Sequence, residues 1–282
     1  MPKRYILCIG AHPDDNELSV GGTAAKLRAR GDEVRFVSVT NGDKGHFYEE
    51  YKADPSKLAA RRQQEAQNAA AVIGASYQTL GVHDGEVYVD LPTTEAMVRC
   101  IRSFGEPGKG PDLVLLNRPV DYHRDHRYTA QLVLDATYML TVPLMCPDTR
   151  HLDRMPVFAY WYDDFRDLVP FRADIAVPID DVIEQKIDMA CAHVSQVFEW
   201  LPYNAGRLDQ VPPESDRSGR REMIAKNVRT RGEHRRNQVS QTLAEWFGSI
   251  DARYAEAFQI CEYGRIPDRG ELRELFPMTW IA

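Results

Sequence analysis

Two short turns carry most of the chemistry this chain could perform. Residues 11–15 read Ala-His-Pro-Asp-Asp and residues 123–126 read His-Arg-Asp-His, which together supply three imidazoles and three carboxylates. Each turn follows a predicted buried strand, where so many ionisable groups are costly to desolvate. A divalent metal accounts for them most simply. Zinc takes imidazole nitrogen and carboxylate oxygen, and a catalytic zinc keeps three protein ligands and one water. The two turns supply that shell and leave carboxylates and an imidazole for proton transfer.

His12 and Asp15 lie three apart on a turn stiffened by Pro13, a spacing that aims both side chains at one point and sets Asp14 beside the ion. Glu17 falls near the start of the next helix, where the dipole favours a carboxylate. His123 and His126, also three apart, offer the third ligand. Each turn alone has a plainer use. An Asp-Asp pair before a helix is often an N-cap with its neighbour, and His123, Asp125 and His126 would serve as surface and helix-start residues. The shared setting favours one site, because open α/β sheets form sites at the carboxyl ends of their strands.

The elements that must position these turns are legible as follows. The run 5–10 reads as a strand buried on both faces. A helix then runs to about residue 30, with Gly31 as its stop, and 33–40 is a second strand, the opening unit of a parallel sheet. A polar loop over 41–57 precedes a helix at 58–73, a strand at 76–80 and a helix at 91–104. A buried strand at 112–117 leads into the second turn and a helix over 127–140. Beyond lie a proline-containing loop (142–156), strands at 157–162 and 173–177, and a helix over 180–196 with Asp180 as N-cap. A polar stretch (202–216) and one or two charged helices over 222–247 complete the reading. The expected fold is α/β, a Rossmann-like three-layer sandwich with a mostly parallel central sheet. One domain is expected over 1–282, with a catalytic core at about 1–200 and an irregular, helical part at about 201–282.

Bulk properties fit such a domain. The chain has 282 residues, 43% hydrophobic and 27% charged, enough for one large α/β core. Its formal net charge of −7 argues against nucleic-acid binding through a general basic field. The first apolar run is too short for a signal peptide, and no stretch reads as a membrane span. Five cysteines are scattered without CxxC spacing, which suggests reduced thiols in a cytoplasmic protein. No GxGxxG follows the first strand, which excludes a dinucleotide loop. The arginines from 217 to 236 form a solvated helix face or, alternatively, a grip on an acidic or phosphorylated substrate group. Phe47, Tyr48, Tyr51, Trp161 and Tyr162 either pack beneath loops or offer surface to a sugar ring.

The two turns resemble those of the PIG-L/LmbE-like zinc deacetylases, which remove acetyl groups from N-acetylglucosamine-type amines. Gly21-Gly-Thr, Thr40-Asn-Gly-Asp-Lys-Gly, Arg62-Gln-Gln-Glu65, Asp84-Gly85 and His193-Val-Ser-Gln196 also look like family features, so the similarity covers about residues 5–196. The resemblance implies that His12, Asp15 and His126 bind zinc, with iron or cobalt also acceptable to this ligand set. It implies Asp14 as general base, His123 as acid or oxyanion stabiliser, and Asp125 as the group orienting His123. Arg62 is an implied contact to substrate or oxyanion; Tyr122 is a further substrate contact, although the functional Tyr of some members lies one place earlier, and His193 is either a substrate contact or a packed core histidine. Two departures stand out: Asn16 separates Asp15 from Glu17, and Arg124 replaces a proline common inside the second motif.

The implied reaction is hydrolysis of a linear amide C–N bond in an N-acetylated amino sugar or glycoconjugate. Bound zinc lowers the pKa of water to roughly 7 and polarises a carbonyl, Asp14 takes the water proton, and His123 faces the oxyanion. Two other readings stay open: a metal-dependent phosphoester hydrolase, which usually wants a second metal, and a non-catalytic sugar-binding member of the same fold. The substrate is expected to be a small molecule, with no nucleic-acid partner, and self-association of the chain is left open.

Overall fold

The first strand, β1 (Tyr5–Gly10), feeds two cores by simple alternation. Ile6 and Cys8 enter one hydrophobic cluster, and Leu7 and Ile9 enter another on the opposite face, as the two-residue side-chain period of a strand requires. The computed structural model describes residues 3–248 and 251–277. Its remaining strands are β2 (Glu33–Thr40), β3 (Ser76–Val82), β4 (Leu113–Leu116), β5 (Val157–Trp161), β6 (Ile175–Pro178) and β7 (Ala255–Ile260). The helices are α1 (Asp15–Arg30), α2 (Glu49–Ala53), α3 (Pro55–Val72), α4 (Leu91–Arg102), α5 (Arg124–Met139), α6 (Ile183–Ala192), α7 (Leu201–Asn204), α8 (Arg217–Gln238), α9 (Ser240–Phe247) and α10 (Arg269–Leu275).

The strands form one sheet in the order β3-β2-β1-β4-β5-β7-β6. Strands β3, β2, β1, β4 and β5 pair in parallel, and β7 runs antiparallel to both β5 and β6. Residues of α1, α3, α6 and α8 cover one face, and residues of α4 and α5 the other. The expected three-layer α/β sandwich with a mostly parallel sheet is the observed one. Chain order reverses between β1 and β4, so a crevice opens beyond their carboxyl ends. The two chemistry-bearing turns follow these two strands.

The structure departs from the sequence reading in three places. The C-terminal part, expected to be irregular and helical, contributes β7 to the sheet. The expected single helix over 180–196 is a 3₁₀ turn (Asp180–Val182), then α6, then a π-helical stretch (Ser195–Trp200). Asp180 does not cap it, because its carboxylate accepts from the backbone N–H groups of Arg253 and Tyr254 at 2.9 and 3.1 Å, ahead of β7. The π-helical stretch starts where Glu65 of α3 accepts from Ser195 N and Ser195 Oγ, at 2.9 and 2.6 Å. Finally, the loop at 41–57 contains α2.

Two glycines of α1 explain one of the singled-out sequence features. A Cβ at Gly22 would meet Ile179 at 2.8 Å, and one at Gly21 would meet Met189 of α6 at 3.0 Å. Glycine at both positions lets α1 approach its neighbours closely. The N–H groups of Gly22 and Thr23 donate to the buried Glu256 carboxylate of β7 at 3.0 and 2.7 Å, and Glu256 also pairs with Lys186 of α6. A residue near the end of the chain thus fixes the helix whose first turn carries Asp15.

Candidate metal centre and active site

His12 Nδ1 and His126 Nε2 stand 3.2 Å apart. Asp15 completes the triangle, with Oδ2 at 3.6 Å from His12 Nδ1 and Oδ1 at 3.4 Å from His126 Nε2. Four ligands held at zinc's bond lengths of roughly 2.0–2.2 Å would define a tetrahedron with edges of about 3.3–3.6 Å. The three side chains expected to share an ion therefore come together, the two nitrogens at 3.2 Å and one Asp15 oxygen near each of them. The other face of each ring explains why. His12 Nε2 lies 3.1 Å from Asp84 Oδ1, and His126 Nδ1 lies 2.9 Å from Asp121 Oδ2. A carboxylate only accepts, so each of those nitrogens must be the N–H donor. In its neutral form each ring then turns a lone pair inward, towards the other ring and towards Asp15. Three electron-rich groups converge on a point that calls for a cation, and outer carboxylates fix the tautomers as they do around ligating histidines.

The local electrostatics carry the same demand. Burial works against charging His12 and His126, yet the surrounding carboxylates hold His12 well above its usual value and push His126 up to about 10. Burial would raise Asp15, but His126 and His12 hold it well below the carboxylate range. Asp84, although buried, is pulled to about 2 by its bond to His12. Backbone N–H groups of Ala11 and His12 both donate to Asp15 Oδ2 at 2.8 Å, fixing that carboxylate. His12 also shares ligand-like spacing with His123 and His126, and with Asp84 and Asp125. The Asp84 and Asp125 side meets His12 through Nε2, the nitrogen that donates to a carboxylate. Asp84 and Asp121 thus support the histidines from outside. Asp84-Gly85 had a place among the singled-out features; Asp121, two residues before His123, was missed, and only its proximity to that motif signalled it.

Asp14 stands beside this triangle, buried, and its Oδ1 accepts from Arg62 Nη2 at 3.1 Å. Burial and neighbouring Asp15 push its carboxyl up, while Arg62, His193 and His12 pull it down, and the net shift is upward. Arg62 also lines the cavity; its Nη2 donates to Asp14 and to Pro13 O at 3.1 Å, its Nη1 to Gly42 O at 3.4 Å, and its buried Nε has no partner. Gly42 has φ +67°, and a Cβ there would meet Arg62 Nη1 at 2.4 Å, so this position requires glycine. His193, expected against substrate, is wholly buried and does not line the cavity. Its Nε2 faces Glu17 Oε1 at 3.5 Å. It acts on Asp14 through space, and burial removes it from contact with substrate.

His123 is the N-cap of α5, and its Nδ1 accepts from Asp125 N at 3.2 Å. That bond selects the tautomer with hydrogen on Nε2 and leaves Nε2 free to donate. Burial together with His12 and His126 lowers the His123 pKa despite Asp125, so the ring donates as neutral imidazole. The Asp125 carboxylate does not orient His123 as expected. It is fully buried, accepts from Gly85 N at 2.5 Å and lies 3.5 Å from His12 Nε2; the backbone of Asp125, not its side chain, sets the His123 ring. Tyr122 is 80% exposed at the cavity edge, 6.2 Å from the Phe165 ring centre to centre.

All of these groups except Asp125 and His193 open into a cavity of about 890 Å³. This lies towards the upper end of the roughly 300–1,000 Å³ range of ligand sites. Trp161, Tyr162 and Trp200 contribute aromatic wall, and α8 closes the far side with Thr230, Arg231, His234 and Arg235. Phe47, Tyr48 and Tyr51 pack with His46 and Tyr203 beside the cavity and not into it.

The chain is an open, mostly parallel α/β sheet with a histidine–carboxylate cluster at its switch point. Residues 7–137, from β1 into α5, match the family model described as PIG-L: GlcNAc-PI de-N-acetylase. The chain is 28% identical over 215 residues to diacetylchitobiose deacetylase of Thermococcus kodakarensis, covering 71% of this chain and 74% of that protein. Among solved structures, N,N'-diacetylchitobiose deacetylase from Pyrococcus horikoshii aligns with a TM-score of 0.69 and 23% identity, over 92% of this chain and 84% of that one. A 4-carboxy-2-hydroxymuconate hydratase from Pseudomonas putida aligns with a TM-score of 0.66 and 19% identity, over 94% of this chain and 99% of that one. The fold is therefore common to deacetylases and a hydratase, and the reaction must be argued from the site.

Proposed function

We propose that this chain is a divalent-metal-dependent N-deacetylase acting on an N-acetylated amino sugar or its conjugate. The observation that carries the reading is the inward-facing triangle of His12 Nδ1, His126 Nε2 and Asp15, at 3.2–3.6 Å, with the buried Asp14 carboxylate beside it. His12, Asp15 and His126 would hold the ion, for which zinc is the first choice and iron or cobalt would also suit the donors. When bound, the ion supplies Lewis acidity to the carbonyl and to the attacking water.

The chain's own groups supply the rest. Asp14 accepts the proton released as water adds to the acetamide carbonyl, and returns it to the amine as the C–N bond breaks; its upward shift suits both directions. Arg62 keeps Asp14 aimed and limits how far burial raises it. His123 donates from Nε2 to the developing oxyanion without first being charged. Exposed Tyr122 is available to the sugar or its substituent at the rim. The aromatic wall suits the apolar face of a pyranose. That no helix among the described residues is long and apolar enough to cross a membrane is compatible with the small-molecule substrate proposed.

The test is metal analysis of the purified protein joined to a screen for primary-amine release from N-acetylglucosamine derivatives. The reading expects about one bound divalent ion per chain and amine release that a chelator abolishes and metal restores. A protein without metal, or one releasing no amine from any derivative after metal loading, would overturn it.

A further inference from the structure

The cavity extends beyond what one acetamido sugar at the metal centre would fill, and its far wall has a distinct character. Thr230, Arg231, His234 and Arg235 line it at helical positions i, i+1, i+4 and i+5, so they share one face of α8. The acidic groups on the facing loop are already engaged. Asp163 takes a two-pronged bond from Arg118 at 2.6–2.7 Å, and Asp164 accepts from His234 Nε2 at 2.8 Å and Tyr162 at 2.6 Å. Arg231 forms no hydrogen bond or ion pair among the described residues. Arg235 makes no direct ion pair with a carboxylate there, although Glu256 and Asp164 act on it through space, and it donates two long bonds of 3.4 Å to Leu18 O and Ser19 O of α1. Ser19 lies one helical turn along α1 from Asp15. In a chain of net charge −7, two neighbouring guanidiniums that form no direct ion pair among the described residues face a cavity.

We propose that this end of the cavity binds a carboxylate or phosphate carried by the substrate beyond its acetamido sugar, with Arg231 and Arg235 as the anion's partners. This rests on the deacetylase reading for the sugar and adds the class of substituent. Guanidinium forks match both anions in geometry, and an anion between two like charges also removes their mutual repulsion. The free Nη2 and Nε of Arg235 and the whole guanidinium of Arg231 are available, and the Thr230 hydroxyl adds a donor. The aromatic wall then spans the sugar, while α8 reads its substituent.

The test is equilibrium binding, by calorimetry, of three deacetylated ligands that bind without turnover: glucosamine 1-phosphate, a glucosamine glycoside of a 2-hydroxy acid, and methyl glucosaminide. The metal-loaded full chain should bind at least one anionic ligand about tenfold or more tighter than the methyl glycoside. Whichever anion is tighter identifies phosphate or carboxylate as the natural group. Arg231 is exposed and unbonded, so Arg231→Ala should fold, as a thermal melt would verify. It should cut the preference to under about threefold, and Arg231→Lys should retain more of it. Equal binding of all three ligands, no binding of any, or a preference untouched by Arg231→Ala would overturn the proposal. Amine release from the matching N-acetyl compounds is measured in parallel. Its failure for every compound would strike the deacetylase reading, while the binding comparison still decides the anion site.

Discussion

Asp14 and Asp15 are adjacent and chemically identical, yet their surroundings divide their labour. Asp15 is held ionised by two imidazoles, while Asp14 faces one guanidinium and is pushed up by burial. Asp14→Asn should keep its metal and lose about 10²–10⁴ in kcat, the usual contribution of a positioned base. Asp15→Asn should lose metal as well, and metal analysis beside a rate assay separates the two. Asp121 lies outside the proposed ligand trio, but its bond to Nδ1 fixes the His126 tautomer. Asp121→Asn should weaken metal affinity roughly 10–100-fold, read by competition with a chelating dye, with little loss of rate once metal is saturating. His126, raised to about 10 in the metal-free chain, must give up a proton when it becomes a ligand. Apparent affinity should therefore rise with pH towards about 10, and calorimetry in buffers of different ionisation enthalpy should show net proton release on binding. In the metal-free protein the same shift stabilises fully below 6.5, the ring's ordinary value, and that stability is lost as pH rises through about 10.

At the scale of elements, α1 depends on a side chain from the far end of the sequence. Glu256 accepts from Gly22 N and Thr23 N, whose regular helical acceptors are Leu18 O and Ser19 O. Those same carbonyls accept from Arg235. Removing the carboxylate strands Lys186, fully buried, without its counter-charge, so Glu256→Ala should cost about 3–5 kcal/mol in denaturant unfolding. Replacing the pair together, Lys186→Met with Glu256→Leu, should recover much of that loss. Burial opposes the charge on Glu256, but Lys186 and the two backbone donors win and hold it below its ordinary 4.5. Its contribution is thus complete above about pH 4.5 and drains away as acid carries the pH down through the folded-state value. None of this was legible locally. The segment Ala-Glu-Ala-Phe-Gln-Ile places a charge in mid-strand, and its partner Lys186 lies 70 residues away. By contrast, β1 and β4 announce themselves as apolar runs, and the two histidine-bearing turns come after them, at 11–15 directly and at 123–126 after a short loop. His12 and His126 were readable because each sits beside other donors in sequence. Asp84 and Asp121 meet the rings only through the fold, and the backbone bond that sets His123 has no sequence signature beyond its place at a helix start.

At the scale of the whole molecule, the cation site ties together loops from either side of the switch point. Binding an ion to the folded state alone at a hundredfold over its Kd adds about 2.7 kcal/mol, so a chelator should lower the melting temperature by several degrees and metal should restore it. The placement of β7 has a different consequence, in time. The chain leaves the ribosome with β5 and β6 already made, yet β6 has no neighbour and β5 only one until residues 255–260 emerge and slide between them. During synthesis the growing polypeptide must carry two bare strand edges. Such edges invite pairing with other chains, so a nascent or clipped molecule that stops short of residue 255 should be the form that recruits chaperones and clumps.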